Sequence, residues 1–173
     1  MKYFLLTHTN SKTISICLNR LKQFDIIPNV IYGYEPKRNN IKKNHIVFLN
    51  LLDKILNNID EDFVFMEDDT YINENIINYC NSDRDFVWIA NQWVRKSYIC
   101  GCNIFYVNKN FIETLKNKMK LTRPQHLDRF LFLHIVKNYN CEVIDNFKWM
   151  EIPHPSLNNK NNIRNHRKLL NKY

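Results

Sequence analysis

Glycine is almost absent from this chain of 173 residues, which contains only Gly33 and Gly101. The dinucleotide-binding fingerprint and the P-loop both need several closely spaced glycines, because their backbones must approach phosphate groups. Neither motif is therefore available. If the chain binds a nucleotide, we expect the diphosphate to be held in another way, most simply through a metal ion.

Paired cysteine motifs and long hydrophobic runs are also missing. The five cysteines are an odd number with no zinc-type spacing, so we predict buried, reduced thiols in a cytoplasmic compartment. The apolar run that follows Met1 is too short for a signal peptide, and no stretch reaches transmembrane length. These features predict a soluble protein.

Basic residues outnumber acidic ones, 25 to 17, which gives a formal net charge of +8. Such a balance favours anionic partners: nucleotide diphosphates, nucleic acid or a membrane surface. The abundance of Asn, Lys and Ile is also typical of a coding bias, so charge alone does not select a partner. Hydrophobic residues make up 45% of the chain, which is enough for a packed core.

Apolar runs typical of buried strands alternate with helical spacing over the first half of the chain. The patterns predict strands at 3–7, 29–32 and 62–66, and helices at 11–24 and 41–59. This order predicts an α/β fold with a mostly parallel central sheet flanked by helices. The later predicted elements are a short helix at 73–80, strands at 85–90, 102–107, 141–144 and 147–152, a helix capped by Asn108 and another that starts near Pro124. We expect one domain over residues 1–157 and a basic, Asn- and Lys-rich tail over 158–173.

Three consecutive acids, Glu67, Asp68 and Asp69, directly follow an apolar strand. Ligands bind at the carboxyl ends of parallel strands, where Thr7 and His8 are also predicted to lie. Adjacent carboxylates repel one another, and a divalent cation such as Mg²⁺ or Mn²⁺ offsets that repulsion. In an extended segment Glu67 and Asp69 share a face, so we predict that this pair holds the metal while Asp68 contacts ribose or a loop. The alternative is a solvated turn.

Two further residues are candidates for the chemistry. His154 lies between two prolines that fix its backbone, and it is either a third metal ligand or a surface histidine. Asp128 lies near the start of a predicted helix, where it can accept a proton from an attacking hydroxyl. Otherwise it is an acid favoured by the helix dipole or paired with Arg129.

A polar and aromatic segment precedes the second glycine. Trp93, Arg95 and Lys96 in this segment can bind an acceptor sugar by stacking and by charge, or they form an exposed loop. His45 and His134 lie on apolar helix faces, so we interpret both as core histidines.

The order of these features resembles the family 25 glycosyltransferases, the lipopolysaccharide and collagen sugar transferases with a GT-A fold, in a minimal form. The most specific match is the strand that ends in Glu67-Asp68-Asp69. Asn44 stands where the family has the serine of a Ser-His pair, and Asp128 matches an Asp after a Pro-containing loop. The resemblance covers residues 1 to about 157.

The resemblance implies a metal-dependent, inverting transfer of sugar from a nucleotide-sugar donor, with a UDP-sugar as the expected donor. Mn²⁺ or Mg²⁺ would bridge the diphosphate to the acids, and Asp128 would take the proton of the acceptor hydroxyl on a glycan, lipid-linked sugar or protein. The residues implied to contact the donor are Thr7, His8, Asn10, Tyr34, Asn44 and Asp68, with Tyr34 available to stack on the base.

Two other functions fit the same sequence. A DNA glycosyltransferase that acts on a modified, hydroxymethyl-type base would use the net charge of +8 to dock a duplex. A non-enzymatic nucleic-acid-binding module would use the same charge and leave the three acids as a turn. Binding by this module would not depend on a metal ion, whereas either transferase would need one.

Overall fold

A six-stranded sheet forms the centre of the protein. The computed structural model describes residues 1–8, 10–33, 50, 52–90, 93–95, 98–100, 103–123 and 127–152, with the backbone alone at 93–95, 98–100 and 151. The strands in chain order are β1 Lys2–His8, β2 Asn29–Gly33, β3 Phe63–Glu67, β4 Thr70–Ile72, β5 Phe86–Ala90, β6 Trp93–Arg95, β7 Tyr98–Cys100, β8 Ile104–Val107, β9 Cys141–Val143 and β10 Trp149–Glu151.

The central sheet has the order β2-β1-β3-β8-β5-β9. The pairs β1–β2, β1–β3 and β5–β9 are parallel, whereas β8 runs antiparallel to both of its neighbours. The predicted mostly parallel sheet is therefore confirmed. The antiparallel β8 has one consequence for function, because its first residues lie beside the last residues of β3 and β5.

Helices cover both faces of this sheet, as predicted. They are α1 Ile14–Lys22, α2 at residues 52–57, α3 Ile112–Leu121 and α4 Leu127–Phe130, which continues as a π-helical turn over Leu131–Val136. Alternate residues of β3 divide between two cores, since Phe63 and Phe65 pack under α2 and α3 while Val64 and Met66 pack under α1. None of the helices in the described part of the chain is long and apolar enough to cross a membrane.

Two small antiparallel pairs lie outside the central sheet: β4 with β10, and the hairpin β6–β7. The strand predicted at 147–152 is thus β10, and it pairs with β4. The sequence did not predict β4. The short helix predicted at 73–80 is a single 3-10 turn, Ile76–Tyr79. Most of the helix predicted at 41–59, including His45, falls outside the described residues.

One end of the sheet gathers the ends of several strands. We call it the carboxyl end of the sheet, and it comprises His8, Gly33, Glu67, Ala90 and Asn103, the last of which immediately precedes β8. The hairpin β6–β7 follows β5 and precedes β8 in the chain, so both of its connections start from this end. The site predicted from the sequence falls at the same place.

Candidate functional site

The three acids form a turn at the carboxyl end of the sheet, and we call Glu67, Asp68 and Asp69 the acid turn. The strand ends at Glu67, and the next two residues turn the chain towards β4. The Glu67 N–H donates to the Asn103 carbonyl at 2.9 Å, and the Asp68 N–H donates to the Leu6 carbonyl at 3.1 Å. Neighbouring strands therefore hold the turn on both sides. Because it is not extended, strand alternation cannot pair Glu67 with Asp69.

The Asp68 carboxylate binds the loop that follows β1. Its Oδ2 accepts a hydrogen bond from Thr7 Oγ1 at 2.5 Å and a second one from Ser11 Oγ. An ionised carboxylate can accept hydrogen bonds but cannot donate them, so both hydroxyls must donate to it. Thr7 is only 4% exposed, so its hydroxyl has little access to water as a substitute. Asp68 thus fastens the first loop to the acid turn.

Ser11 also organises the start of α1. Its Oγ accepts the backbone N–H groups of Thr13 and Ile14, each at 3.2 Å. These N–H groups have no partner within the helix, so a hydroxyl oxygen at this position stabilises the helix end. Sequence reasoning missed Ser11, because the capping residue is expected directly before Ile14, at the position of Thr13.

On the other side of the turn, Asp69 contacts Asn103. The Asn103 Nδ2 donates to Asp69 Oδ1 at 3.2 Å, and Asn103 is 1% exposed. Its Oδ1 is buried and has no hydrogen-bond partner among the described residues, as is also true of Thr70 Oγ1 and His8 Nδ1. An unsatisfied buried polar atom costs about 1–3 kcal/mol, so such atoms need an explanation. A bound ligand would supply one.

The buried thiol of Cys17 lies close enough to the acid turn to be affected by its charge. The pKa of Cys17, on α1, is raised from 9.0 to about 12, first by burial and then by the negative charges of Asp68 and Asp69. The two carboxylates therefore lie within electrostatic reach of the same atom. A cation close to the turn would experience the opposite, favourable interaction.

The residues of the acid turn fit a divalent cation. Mg²⁺ usually binds through one or two carboxylates together with substrate phosphates, so a complete cage of acids is not required. Over the described ranges no three His, Cys, Asp or Glu side chains form a cation site by themselves. Asp69 and the Oδ1 atom of the Asn103 side chain provide hard oxygen atoms that such ions prefer, and Glu67 is a further carboxylate of the turn. His154, the predicted third ligand, lies outside the described residues.

Asp128 lies in the first turn of α4 and is half-buried. Its Oδ1 accepts the Arg129 N–H at 2.7 Å, a contact that suits the start of a helix. The strand β7 lies against α4, so Asp128 and the hairpin are on neighbouring elements. Its roles as the general base, as an acid favoured by the helix dipole or as the partner of Arg129 all stay predictions.

The remaining predicted site residues are only partly described. Asn10 is exposed, next to Ser11, and His8 ends β1 at the carboxyl end of the sheet. Trp93 and Arg95 belong to the hairpin, with backbone positions alone. The predicted residues that lie outside the described part are Tyr34, Asn44, Lys96 and His154.

An exposed aromatic residue that the sequence did not single out lies near the same end. Tyr32 is 60% exposed on β2, and its Cα pairs with that of Thr7. Exposed tyrosines offer a flat apolar face for stacking. In the sequence, Tyr32 was only the last residue of a predicted strand, and stacking on the base was assigned to the nearby Tyr34.

The solved structures with a similar fold include two that cover most of both chains. A glycosyltransferase involved in the glycosylation of the major capsid of PBCV-1 matches with a TM-score of 0.62 and 12% identity, over 91% of this chain and 95% of that chain. The A197 protein from STIV matches with a TM-score of 0.56 and 14% identity, over 87% and 85%. No protein-family model and no curated protein matches the sequence. At these identities the likeness shows a shared fold, and membership of family 25 is not shown.

Proposed function

We propose that the protein is a metal-dependent glycosyltransferase that moves a sugar from a nucleotide-sugar donor to an acceptor hydroxyl. The observation that carries this proposal is the contact between Asp69 and Asn103 at the carboxyl end of the sheet, where β3 ends at Glu67 and the buried Asn103 Oδ1 has no hydrogen-bond partner among the described residues. Ligands bind at this end in open α/β sheets. The fold shared with the PBCV-1 glycosyltransferase agrees with the proposal.

The donor would occupy the side of the site formed by β1 and β2. Asp69 and Glu67, with His154 as a predicted third ligand, would hold Mn²⁺ or Mg²⁺, which when bound offsets charge on the leaving diphosphate. Asp68 would hold the first loop in place, which is one of the two roles predicted for it, and would not contact the ribose. Tyr32 offers its exposed ring to the base of the nucleotide, for which a UDP-sugar is the expected source.

The acceptor would approach from the side of the hairpin and α4. Its hydroxyl oxygen would bond to the anomeric carbon as the bond to the diphosphate breaks, and Asp128 would take the hydroxyl proton. A single displacement of this kind inverts the anomeric configuration. Trp93 and Arg95 on the hairpin, together with Lys96, are the predicted acceptor contacts. A glycan, a lipid-linked sugar or a protein remains the expected acceptor class.

A DNA acceptor is the second candidate, and the net charge of +8 favours it. Phosphate contacts release counterions, so the affinity of a duplex falls steeply with salt concentration. We therefore expect a transferase that uses DNA to lose most of its activity between 50 and 200 mM salt. Activity on a neutral glycan acceptor that changes little over this range would exclude DNA as the substrate.

The first test is a thermal-shift screen of UDP-, GDP- and CMP-sugars, each with and without Mn²⁺. A ligand that binds the native state raises the melting temperature by mass action. We expect one nucleotide class to raise it in the presence of Mn²⁺ and Asp69→Ala to abolish the shift. The matched control is Asp83→Ala, which removes an equal charge from an exposed turn at the opposite end of the sheet.

Two outcomes would contradict the proposal. The first is the absence of a shift with every donor in the wild-type protein. The second is a shift that Asp69→Ala and Asp83→Ala retain equally, because the acid turn would then play no part in binding. Stabilisation by duplex DNA without metal, in all three proteins, would instead favour the nucleic-acid-binding module.

A further inference from the structure

Asn103 is placed against the acid turn by the antiparallel direction of β8. Its carbonyl oxygen accepts the Glu67 N–H at 2.9 Å, which continues the β3–β8 pairing by one residue beyond Met66 and Ile104. A strand running the other way would carry this position to the opposite end of the sheet. Asn103 is therefore fixed at the carboxyl end by its backbone as well as by its side chain.

Asp69 determines the orientation of the Asn103 carboxamide. An ionised carboxylate accepts hydrogen bonds only, so it selects the Nδ2 end of the amide and rejects the Oδ1 end. The hydrogen bond of 3.2 Å from Nδ2 to Asp69 Oδ1 has this orientation. The Oδ1 atom is then left buried, next to a carboxylate, and without a hydrogen-bond donor from the described residues.

We propose that Asn103 is an oxygen ligand of the divalent cation, beside Asp69. This proposal rests on the proposed function and extends it, because the acids alone do not form a three-residue cation site within the described ranges. A neutral amide oxygen is a common ligand for hard cations, and it adds no charge to a turn that already carries three acids. The amide nitrogen meanwhile holds Asp69 in place.

The same strand provides a matched control. Asn108 follows β8 at the opposite end and is also buried, at 9% exposure. Both ends of its amide are satisfied, since Oδ1 accepts the Asn110 N–H at 2.8 Å and Nδ2 donates to the Ser82 carbonyl at 2.7 Å. Asn108 is therefore also a buried asparagine next to β8, but neither end of its amide is without a hydrogen-bond partner.

The test measures Mn²⁺ binding to the folded protein by electron paramagnetic resonance and calorimetry, with Mn²⁺ alone and with Mn²⁺ plus UDP. We expect Asn103→Ala to weaken Mn²⁺ binding by about tenfold or more, the loss typical for groups that build a metal site. We expect Asn103→Asp to be destabilised without metal, since it places a fourth acid at the turn. Mn²⁺ should raise its melting temperature by more than it raises that of the wild type.

Asn108→Ala and Asn108→Asp should lower the melting temperature and leave Mn²⁺ affinity at the wild-type value. The proposal is overturned if Asn103→Ala binds Mn²⁺ as tightly as the wild type, or if Mn²⁺ fails to rescue Asn103→Asp. A fall in affinity for a UDP-sugar with unchanged Mn²⁺ affinity would show that Oδ1 binds a sugar hydroxyl, which also overturns it. If the wild type binds Mn²⁺ but no nucleotide sugar, the transferase function fails while the role of Asn103 is still decided by its variants.

Discussion

The contact between Asp68 and the first loop allows a stability prediction that does not depend on any ligand. Asp68→Ala removes the acceptor of two hydroxyl donors, Thr7 and Ser11. A hydrogen bond to a charged group contributes about 1.5–3 kcal/mol. Water can replace the acceptor at half-buried Ser11 but not easily at Thr7, which is 4% exposed. We therefore expect Asp68→Ala to lower the free energy of unfolding by about 2–4 kcal/mol.

Urea denaturation of single and double variants tests this expectation. Thr7→Val keeps the shape of the side chain and removes its hydroxyl, so a double-mutant cycle with Asp68→Ala isolates the pair. We expect a coupling energy of about 0.5–3 kcal/mol. In addition to its bond to Asp68, Ser11→Ala should cost about 1 kcal/mol, because two backbone N–H groups at the start of α1 lose their acceptor. The exposed control Asp83→Ala should stay within about 0.5 kcal/mol of the wild type.

Two results would refute this account of Asp68. One is an Asp68→Ala protein with wild-type stability, which would mean that water satisfies both hydroxyls in the native state. The other is strict additivity of Thr7→Val and Asp68→Ala, which would mean that the hydroxyl and the carboxylate do not interact. In either case Asp68 would again be available to contact the donor.

Three further outcomes are expected. Tyr106→Phe should cost about 1–2 kcal/mol in urea unfolding, because the buried Tyr106 hydroxyl donates to Asp62 Oδ2 at 2.8 Å, and it should leave Mn²⁺-dependent thermal shifts unchanged. The pKa of Cys17 is raised from 9.0 to about 12, so the stability that this thiol contributes is complete below pH 9 and is lost as pH rises from about 9 to 12. Peptide mass spectrometry after alkylation at pH 8 should therefore find Cys17 protected until urea unfolds the chain, and rapid native labelling would contradict its burial. Tyr32→Ala should weaken donor binding about tenfold by calorimetry while stability changes little, and equal affinity would exclude Tyr32 as the stacking residue.

The parts of the fold that the sequence predicted well are those set by long local patterns. β1 and β3 are strands of seven and five residues, each built on an apolar run, and α1 has clear helical spacing. In contrast, β4 has only three residues, too few for alternation to be visible, and its partner β10 is about 80 residues away. Its existence depends on that distant pairing.

The candidate site was predictable in position but not in its contacts. Polar residues after two strands located Thr7 and the acid turn at the same end of the sheet. No local pattern shows that Ser11 meets Asp68 across 57 residues or that Asn103 meets Asp69 across 34. Both contacts follow from the three-dimensional order of strands, and the second needs the antiparallel β8, whose direction does not follow from its own sequence.

The acid turn shows how three adjacent carboxylates are tolerated in one place. The Asp68 carboxylate is held against the first loop, because its Oδ2 accepts two hydroxyl hydrogen bonds. Asp69 is held by the Asn103 amide on the opposite side, so the two carboxylates are directed to different neighbours instead of towards each other. The remaining negative potential of Asp68 and Asp69 is, after burial, the second cause of the raised pKa of Cys17. A divalent cation placed at Asp69, rather than centrally among all three acids, would use this residual potential without breaking the contacts that hold the first loop.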